Sequence, residues 1–318
     1  MVDSRFGPRF RSHPHPGNPL TGGDGPMTDR SDHRRPSRSQ PPAASPLSTF
    51  AAGQPETLTP LLAPDEPPPF RLINADATTP LLLVCDHASR AIPRALHDLG
   101  LGEADLGRHI AYDIGAEALT LGLAHRLGCP AVLAGYSRIV IDLNRPPGDP
   151  QSILAISDGT VVPGNQGLSA DAQAQRAEAL HWPYHHAVDT AFARLRRIGP
   201  EPLLFSVHTF TPSLGGQDRF WDAGVLWNRD PRLAVPLLAL LRKQPGLVIG
   251  DNEPYSGLEL AYTLDLHAGI AGLAGCAIEV RQDHCVAEAD LARWITLLGD
   301  ALAAILAMPH LHRVGEDR

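Results

Sequence analysis

The chain has 318 residues, 43% of them hydrophobic and 19% charged, with a formal charge of −8, which is material for one large domain or two modest ones around a real core. Beyond the first sixty residues 20 basic groups face 30 acidic ones without a Lys/Arg run, which argues against general nucleic-acid binding. No stretch reaches the roughly 18–20 apolar residues that cross a bilayer, and no signal-peptide pattern opens the chain, so a soluble, cytoplasmic protein with no membrane partner is expected.

Residues 1–65 are rich in Pro, Ser, Gly, Arg and Asp, with hardly an apolar pair before Leu47. Such a segment buries too little surface to offset its ordering entropy and is expected to be a disordered tail ahead of a domain over 66–310. Met27 is a candidate alternative start.

From Phe70 the pattern becomes regular. LLLVCDH (81–87) and AVLAGYS (131–137) are apolar runs of strand length, and RIVIDLN (138–144) alternates at period two. PLLFSVHTF, GVLWNR, LVIGDNEP and GCAIEVRQD are further predicted strands. Between them lie helical patterns: IPRALHDLGL, DIGAEALTLGLAHRLG, SADAQAQRAEALHWPYHHAVDTAFARLRRIG, PRLAVPLLALLRKQ and DLARWITLLGDALAAILAM. Ser169-Ala-Asp and Leu127-Gly128 stand where a helix start and a helix stop are expected. Strands alternating with helices predict an α/β domain with a mixed, mainly parallel central sheet and helices on both faces, in three layers. Cys85, Cys129, Cys276 and Cys285 form no CxxC pair, and Cys85 and Cys276 lie inside apolar runs as core residues do.

Several apolar runs end in, or contain, polar residues suited to chemistry: Asp86-His87, His208, Glu279 with Arg281, and Asp142 with Asn144 and Arg145. Open α/β sheets bind ligands at the carboxyl ends of their strands. Two histidines with a carboxylate are a common zinc set, and zinc supplies hydroxide at neutral pH. Glu279, in an apolar run, suits a general base that passes the water's proton to a leaving amine. Arg138, Asn144, Arg145 and Arg281 are candidates for substrate binding, because guanidinium forks hold carboxylates bidentately. No G-x-S-x-G elbow and no G-x-G-x-x-G after a strand is present, which removes serine-hydrolase and dinucleotide readings.

CDHAS-x2-IP, HIAYDIGA, SRIVIDLNRPPGDP, HWPYHH, SVHTFTP, DNEPYSG and AIEVRQD, in this order, resemble the N-formylglutamate amidohydrolase family over about residues 70–305. The resemblance implies a zinc-carboxypeptidase-like, phosphorylase/hydrolase-like fold. It implies metal-dependent hydrolysis of an N-formyl or related N-acyl amide of an acidic amino acid, with one Zn²⁺ per chain and a place in amino-acid catabolism. His87 and His208 look like its metal-binding histidines and Glu279 like its catalytic carboxylate. Zinc carboxypeptidases and aspartoacylases, similar in fold, place a Glu three residues after the first His, where this chain has Arg90. Asp113 is therefore the candidate third ligand, with Glu117 and Asp86 as alternatives. One of His185 and His186 is a further candidate for the site. The rival readings are hydrolysis of a different N-acyl amino acid, and a non-catalytic binding protein that lost its metal through the change at Arg90.

Overall fold

The structure, a computed structural model, describes residues 60–315. Most of the expected tail lies outside the described residues; of its last part, Leu61 is buried in the core.

Among the described residues a seven-stranded sheet forms from β1 (Phe70–Ile73), β2 (Leu81–Cys85), β3 (Ala131–Ala134), β4 (Leu203–Phe210), β5 (Ala223–Leu226), β6 (Ile249–Asp251) and β7 (Gly275–Arg281). The spatial order is β1-β3-β2-β4-β7-β5-β6. Strands β3, β2, β4 and β7 run parallel; β1 joins the edge antiparallel, and the β5-β6 pair runs opposite to β7. The sheet is thus mixed and mainly parallel. Strands β2 and β4 are buried along their whole length, which is why they read as continuous apolar runs.

Alternation sorts the core into two layers. Leu81, Leu83 and Cys85 of β2, Leu203, Phe205 and Val207 of β4, and Cys276, Ile278 and Val280 of β7 pack in one layer. Helices α1 (Ala116–Leu127), α4 (Ala234–Leu241) and α5 (Glu288–Leu306) cover it, through residues such as Leu119, Leu237, Trp294 and Leu298. Leu82 and Val84, Leu204, and Ala277 face the opposite layer, which is covered by α3 (Trp182–Ile198) through Tyr184, Val188, Phe192 and Leu195. Helix α3 continues α2 (Ala170–Arg176) through a π-turn at Ala177–His181. The Ser169 hydroxyl caps α2 by accepting from Ala172 N, and Gly128 ends α1 in the left-handed conformation.

Three expectations are corrected. RIVIDLN is not a strand but a buried series of turns. Its Ile139, Val140, Ile141 and Leu143 are all buried, yet the carbonyls of Ile139 and Val140 accept from Asn165 Nδ2 (2.8 Å) and Arg176 Nη1 (2.9 Å) rather than from a neighbouring strand. The buried Arg176 therefore satisfies backbone that a sheet ladder would otherwise have to satisfy. IPRALHDLGL forms a 3₁₀ segment, Arg94–Gly100, and is broken by positive φ at His97, Asp98 and Leu99, which no regular helix accommodates. FRLI, absent from the predicted strands, is the edge strand β1; at four residues it is too short to show a period.

Candidate active site

The carboxyl ends of β2, β4 and β7 meet at one place on the α3 side of the sheet. His208 and Glu279 are register partners on adjacent parallel strands, so their side chains stand next to each other on one face. His87 lies just past the end of β2. Asp113 comes from the loop before α1, which is tied to that strand end by Asp113 N donating to His87 O at 3.0 Å. The turn into α1 needs Gly115: its φ is +85°, and a Cβ there would stand 2.4 Å from Cys285 Cβ.

Asp113 Oδ2 lies 2.9 Å from His208 Nδ1 and 3.3 Å from His87 Nδ1. The three buried residues can each offer one ligand atom, all within 4.8 Å of one another. Tetrahedral ligands at zinc bond lengths stand about 3.3 Å apart, so the donor set fits such an ion. The other ring nitrogens point outward to acids. His87 Nε2 is 2.7 Å from Asp142 Oδ1; His208 Nε2 is 3.3 Å from Asp86 Oδ2 and 3.0 Å from Ser206 Oγ. Asp142 behind His87, and Ser206 with Asp86 behind His208, orient the two rings so that both Nδ1 atoms face Asp113. There each donates a proton to the carboxylate or, if an ion were bound, would offer it a lone pair.

These acids are themselves anchored. Asp86 Oδ1 accepts from the Tyr184 hydroxyl at 2.7 Å. Asp142 accepts from Arg138 Nη2 (2.7 Å) and Asn144 N (2.9 Å), and Arg138 Nη1 reaches Asp113 Oδ1 at 3.3 Å. Burial pushes the Asp86 carboxyl up, but the hydrogen bond and charge of His208 outweigh it and bring it down to about 2. Asp113 and Asp142 are likewise held low against burial, Asp113 by His87 and His208 and Asp142 by Arg138 and His87. His208 is raised well above its ordinary value, because Asp113 and Asp86 override burial; His87 is raised by Asp142 and Asp113 against burial and Arg138. Glu279 goes the other way. Burial lifts its carboxyl to about 7, despite the lowering charges of His208, His87 and Arg138. Among the described residues none hydrogen-bonds its buried Oε2.

The remaining predicted residues divide. Glu117 is half-exposed and pairs with Arg71, away from the histidines. Asp86 stands behind His208 rather than beside Asp113. Arg90 turns outward to Glu103 and does not enter the cluster. Arg138 forks between Asp113 and Asp142, next to the three candidate donors. Asn144 spends both ends of its amide on the loop opposite, donating to Leu260 O and accepting from Thr263 N. Arg281 is engaged by Asp283 and Asp222. Arg145 donates to the carbonyl of Asn144, and among the described residues it has no carboxylate within ion-pair distance. His185 is buried behind this loop, bonded to Leu143 O and His267, while His186 is exposed. Sequence reasoning missed the supporting roles of Asp142, Ser206 and Tyr184. Ser206 was within reach, since it lies two residues before His208 on the same strand face.

Residues 79–286 match the family described as N-formylglutamate amidohydrolase, well over half of the chain. The chain belongs to the N-formylglutamate amidohydrolase family. It is thereby a hydrolase acting on an amide bond. Among solved structures, a gene product of Agrobacterium tumefaciens is similar at 32% identity and a TM-score of 0.75, covering 78% of this chain and 98% of that one. The N-formylglutamate amidohydrolase of Ralstonia eutropha is similar in fold, with 18% identity, a TM-score of 0.56 and coverage of 76% of this chain and 98% of that one. No curated protein matches this chain. Among the described residues no helix is long and apolar enough to cross a membrane.

Proposed function

We propose that this protein removes the formyl group, or a related acyl group, from the nitrogen of an acidic amino acid such as N-formylglutamate, using one zinc ion held by His87, Asp113 and His208. The observation that carries the reading is the convergence of three buried donors, each imidazole backed by a carboxylate, beside a carboxyl raised toward neutrality. A zinc ion in that position would supply hydroxide at neutral pH and polarise the amide carbonyl.

The chain's own groups account for the rest. Glu279, with its carboxyl near 7, is matched to take a proton from the attacking water and return it to the departing amine nitrogen, so that the C–N bond breaks to give carboxylate and free amine. Arg138, fixed by Asp113 and Asp142, places a cation beside the ligand set, where negative charge develops on the carbonyl oxygen. Arg145 is the guanidinium suited to the substrate's α-carboxylate, because no carboxylate among the described residues pairs with it directly, although its charge reaches Asp142. Asn144 keeps that loop in place through Leu260 and Thr263, and Arg281 steadies the end of β7 through Asp222 and Asp283. The four cysteines are free and buried, in keeping with a reducing cytoplasm.

The test is a screen of the purified protein, with and without zinc, against N-formyl, N-acetyl and N-carbamoyl derivatives of Glu, Gln, Asp and His. Stoichiometric zinc and zinc-dependent release of formate from N-formylglutamate are expected. Turnover that survives complete chelation defeats the metal-dependent mechanism. Zinc-free protein that binds these compounds without turnover restores the binding-protein reading.

A further inference from the structure

Arg219 carries a guanidinium for which the proposed chemistry has no use. It follows a small hairpin, Ser213–Leu214 paired with Gln217–Asp218, which leaves β4 directly after His208-Thr209-Phe210 and turns through Gly215 and Gly216 at positive φ. Arg219 N donates to Pro212 O at 2.8 Å, closing the base of the hairpin and returning the side chain over the strand end. Its Cζ lies 4.7 Å from the ring centroid of Tyr255 and 5.8 Å from that of Phe210, and its Nη1 donates to the Tyr255 hydroxyl at 2.7 Å. Phe210 shares the His208 face of β4.

The surroundings of this guanidinium differ from those of its neighbours. Arg138 and Arg281 each sit on two aspartates. Among the described residues no carboxylate pairs with Arg219, and only the Tyr255 hydroxyl bonds its side chain, so most of its five N–H donors remain uncommitted. A guanidinium stacked on aromatic rings, held by one hydrogen bond and half-exposed, is pre-organised to receive a carboxylate bidentately. Phe210 stands two residues past His208 on one face of β4, so a guanidinium over its ring lies beside the strand end that carries His208. Two neighbours feel the charges of both Arg219 and Arg138. Tyr255 is raised by burial and by the charge of Glu279, against the lowering charges of Arg219 and Arg138. His109 is lowered by burial and, after the opposing charge of Asp158, by Arg108, Arg138 and Arg219.

We infer that Arg219, positioned by Tyr255, receives the side-chain carboxylate of the substrate while Arg145 receives the α-carboxylate. Two guanidiniums with no directly paired carboxylate among the described residues then match the two carboxylates of an N-acyl dicarboxylic amino acid. This makes Arg219 the specificity-determining residue and rests on the amidohydrolase reading above.

Calorimetric titration of the purified full chain with L-glutamate and L-glutamine tests it, because the two ligands differ only at the side-chain terminus and neither carries an N-acyl bond. Wild type should bind glutamate at least tenfold more tightly. Arg219→Gln should abolish that preference while leaving glutamine affinity unchanged, and Arg219→Lys should keep part of it. Tyr255→Phe, which frees the guanidinium without removing it, should lower the preference severalfold. The same order should appear in kcat/KM for N-formylglutamate against N-formylglutamine. Equal weakening of both amino acids by Arg219→Gln, or a wild type with no preference, overturns the assignment. If the protein hydrolyses no N-formyl amino acid but its glutamate preference still depends on Arg219, only the reaction is wrong and the carboxylate receptor stands.

Discussion

Replacing Glu279 with glutamine separates what this carboxyl does in the reaction from what its burial costs the fold. The glutamine is nearly isosteric and remains neutral at every pH, while the wild-type carboxyl is lifted by burial from its ordinary 4.5 to about 7. A carboxyl raised on folding holds its proton more tightly in the native state than in the unfolded chain. Its contribution is therefore intact below about pH 4.5 and is lost as pH climbs to about 7, the reverse of a salt-bridged aspartate. A shift from 4.5 to about 7 corresponds to about 3 kcal/mol of native-state penalty at pH 8. In protein freed of metal by chelation, Glu279→Gln should raise the stability measured by urea unfolding by about that amount at pH 8, with most of the gain gone by pH 5. The same variant should keep its zinc and lose roughly 10²-fold to 10⁴-fold in kcat, the range for a positioned acid–base group. A stability gain that does not vary with pH, or near-normal turnover by the variant, would refute the reasoning.

His87→Ala and His208→Ala should each lose stoichiometric zinc in metal analysis together with all turnover, and Asp113→Asn should lower zinc affinity while Glu117→Gln, whose carboxylate faces Arg71, leaves it unchanged. Asp86→Asn or Asp142→Asn should weaken zinc roughly 10-fold to 100-fold in competition with a chelator, as expected when a carboxylate behind a ligand histidine is lost. Because His87 and His208 both have raised pKa values, zinc must displace their protons, so its affinity should climb with pH until both imidazoles are neutral; a flat profile contradicts this. A chain beginning at residue 60 should keep its fold and activity by circular dichroism and assay, whereas one beginning at residue 66 also loses the buried Leu61 and should be measurably less stable.

How legible each part was in the sequence follows from the distance over which its cause acts. LLLVCDH and PLLFSVH read correctly as strands because a parallel strand buried on both faces needs an unbroken apolar run, so a histidine just after or within it stands out. Glu279 and His208 could be placed on strands from the local pattern, but their pairing across β4 and β7 depends on a register that only the folded sheet contains. RIVIDLN was misread because buried turns and strands both place apolar side chains inward. What distinguishes them is where the backbone bonds go, and here they go to Arg176, 36 residues from Val140. Asp113, Glu117 and Asp86 are one residue type or nearly so, within a short span or beside the same histidine. Only side-chain direction sorts them, and Arg71 and Tyr184 set that direction from elsewhere in the chain. Arg219 was out of reach for a related reason: its partner Tyr255 lies 36 residues away on another loop.

The charge arithmetic of the cluster explains why its parts take this form. Asp86, Asp113 and Asp142 are all held ionised, and Arg138 offsets one of them, so with neutral imidazoles and a protonated Glu279 the buried group carries two uncompensated negative charges. An imbalance of that kind is expensive in a low-dielectric interior. It can be met in two ways: by a proton on each of His87 and His208, whose pKa values are both raised, or by one divalent cation among the same three donors. The two solutions have the same charge, so the exchange of two protons for one dication leaves Arg138 and the outer aspartates in the same electrostatic balance. Glu279 borders this balance: burial and Asp113 push its carboxyl up, while the charges of His208, His87 and Arg138 pull it down. Those cations are already shared with the three aspartates, so burial prevails and holds the Glu279 carboxyl near the pH at which a proton can be taken and given back.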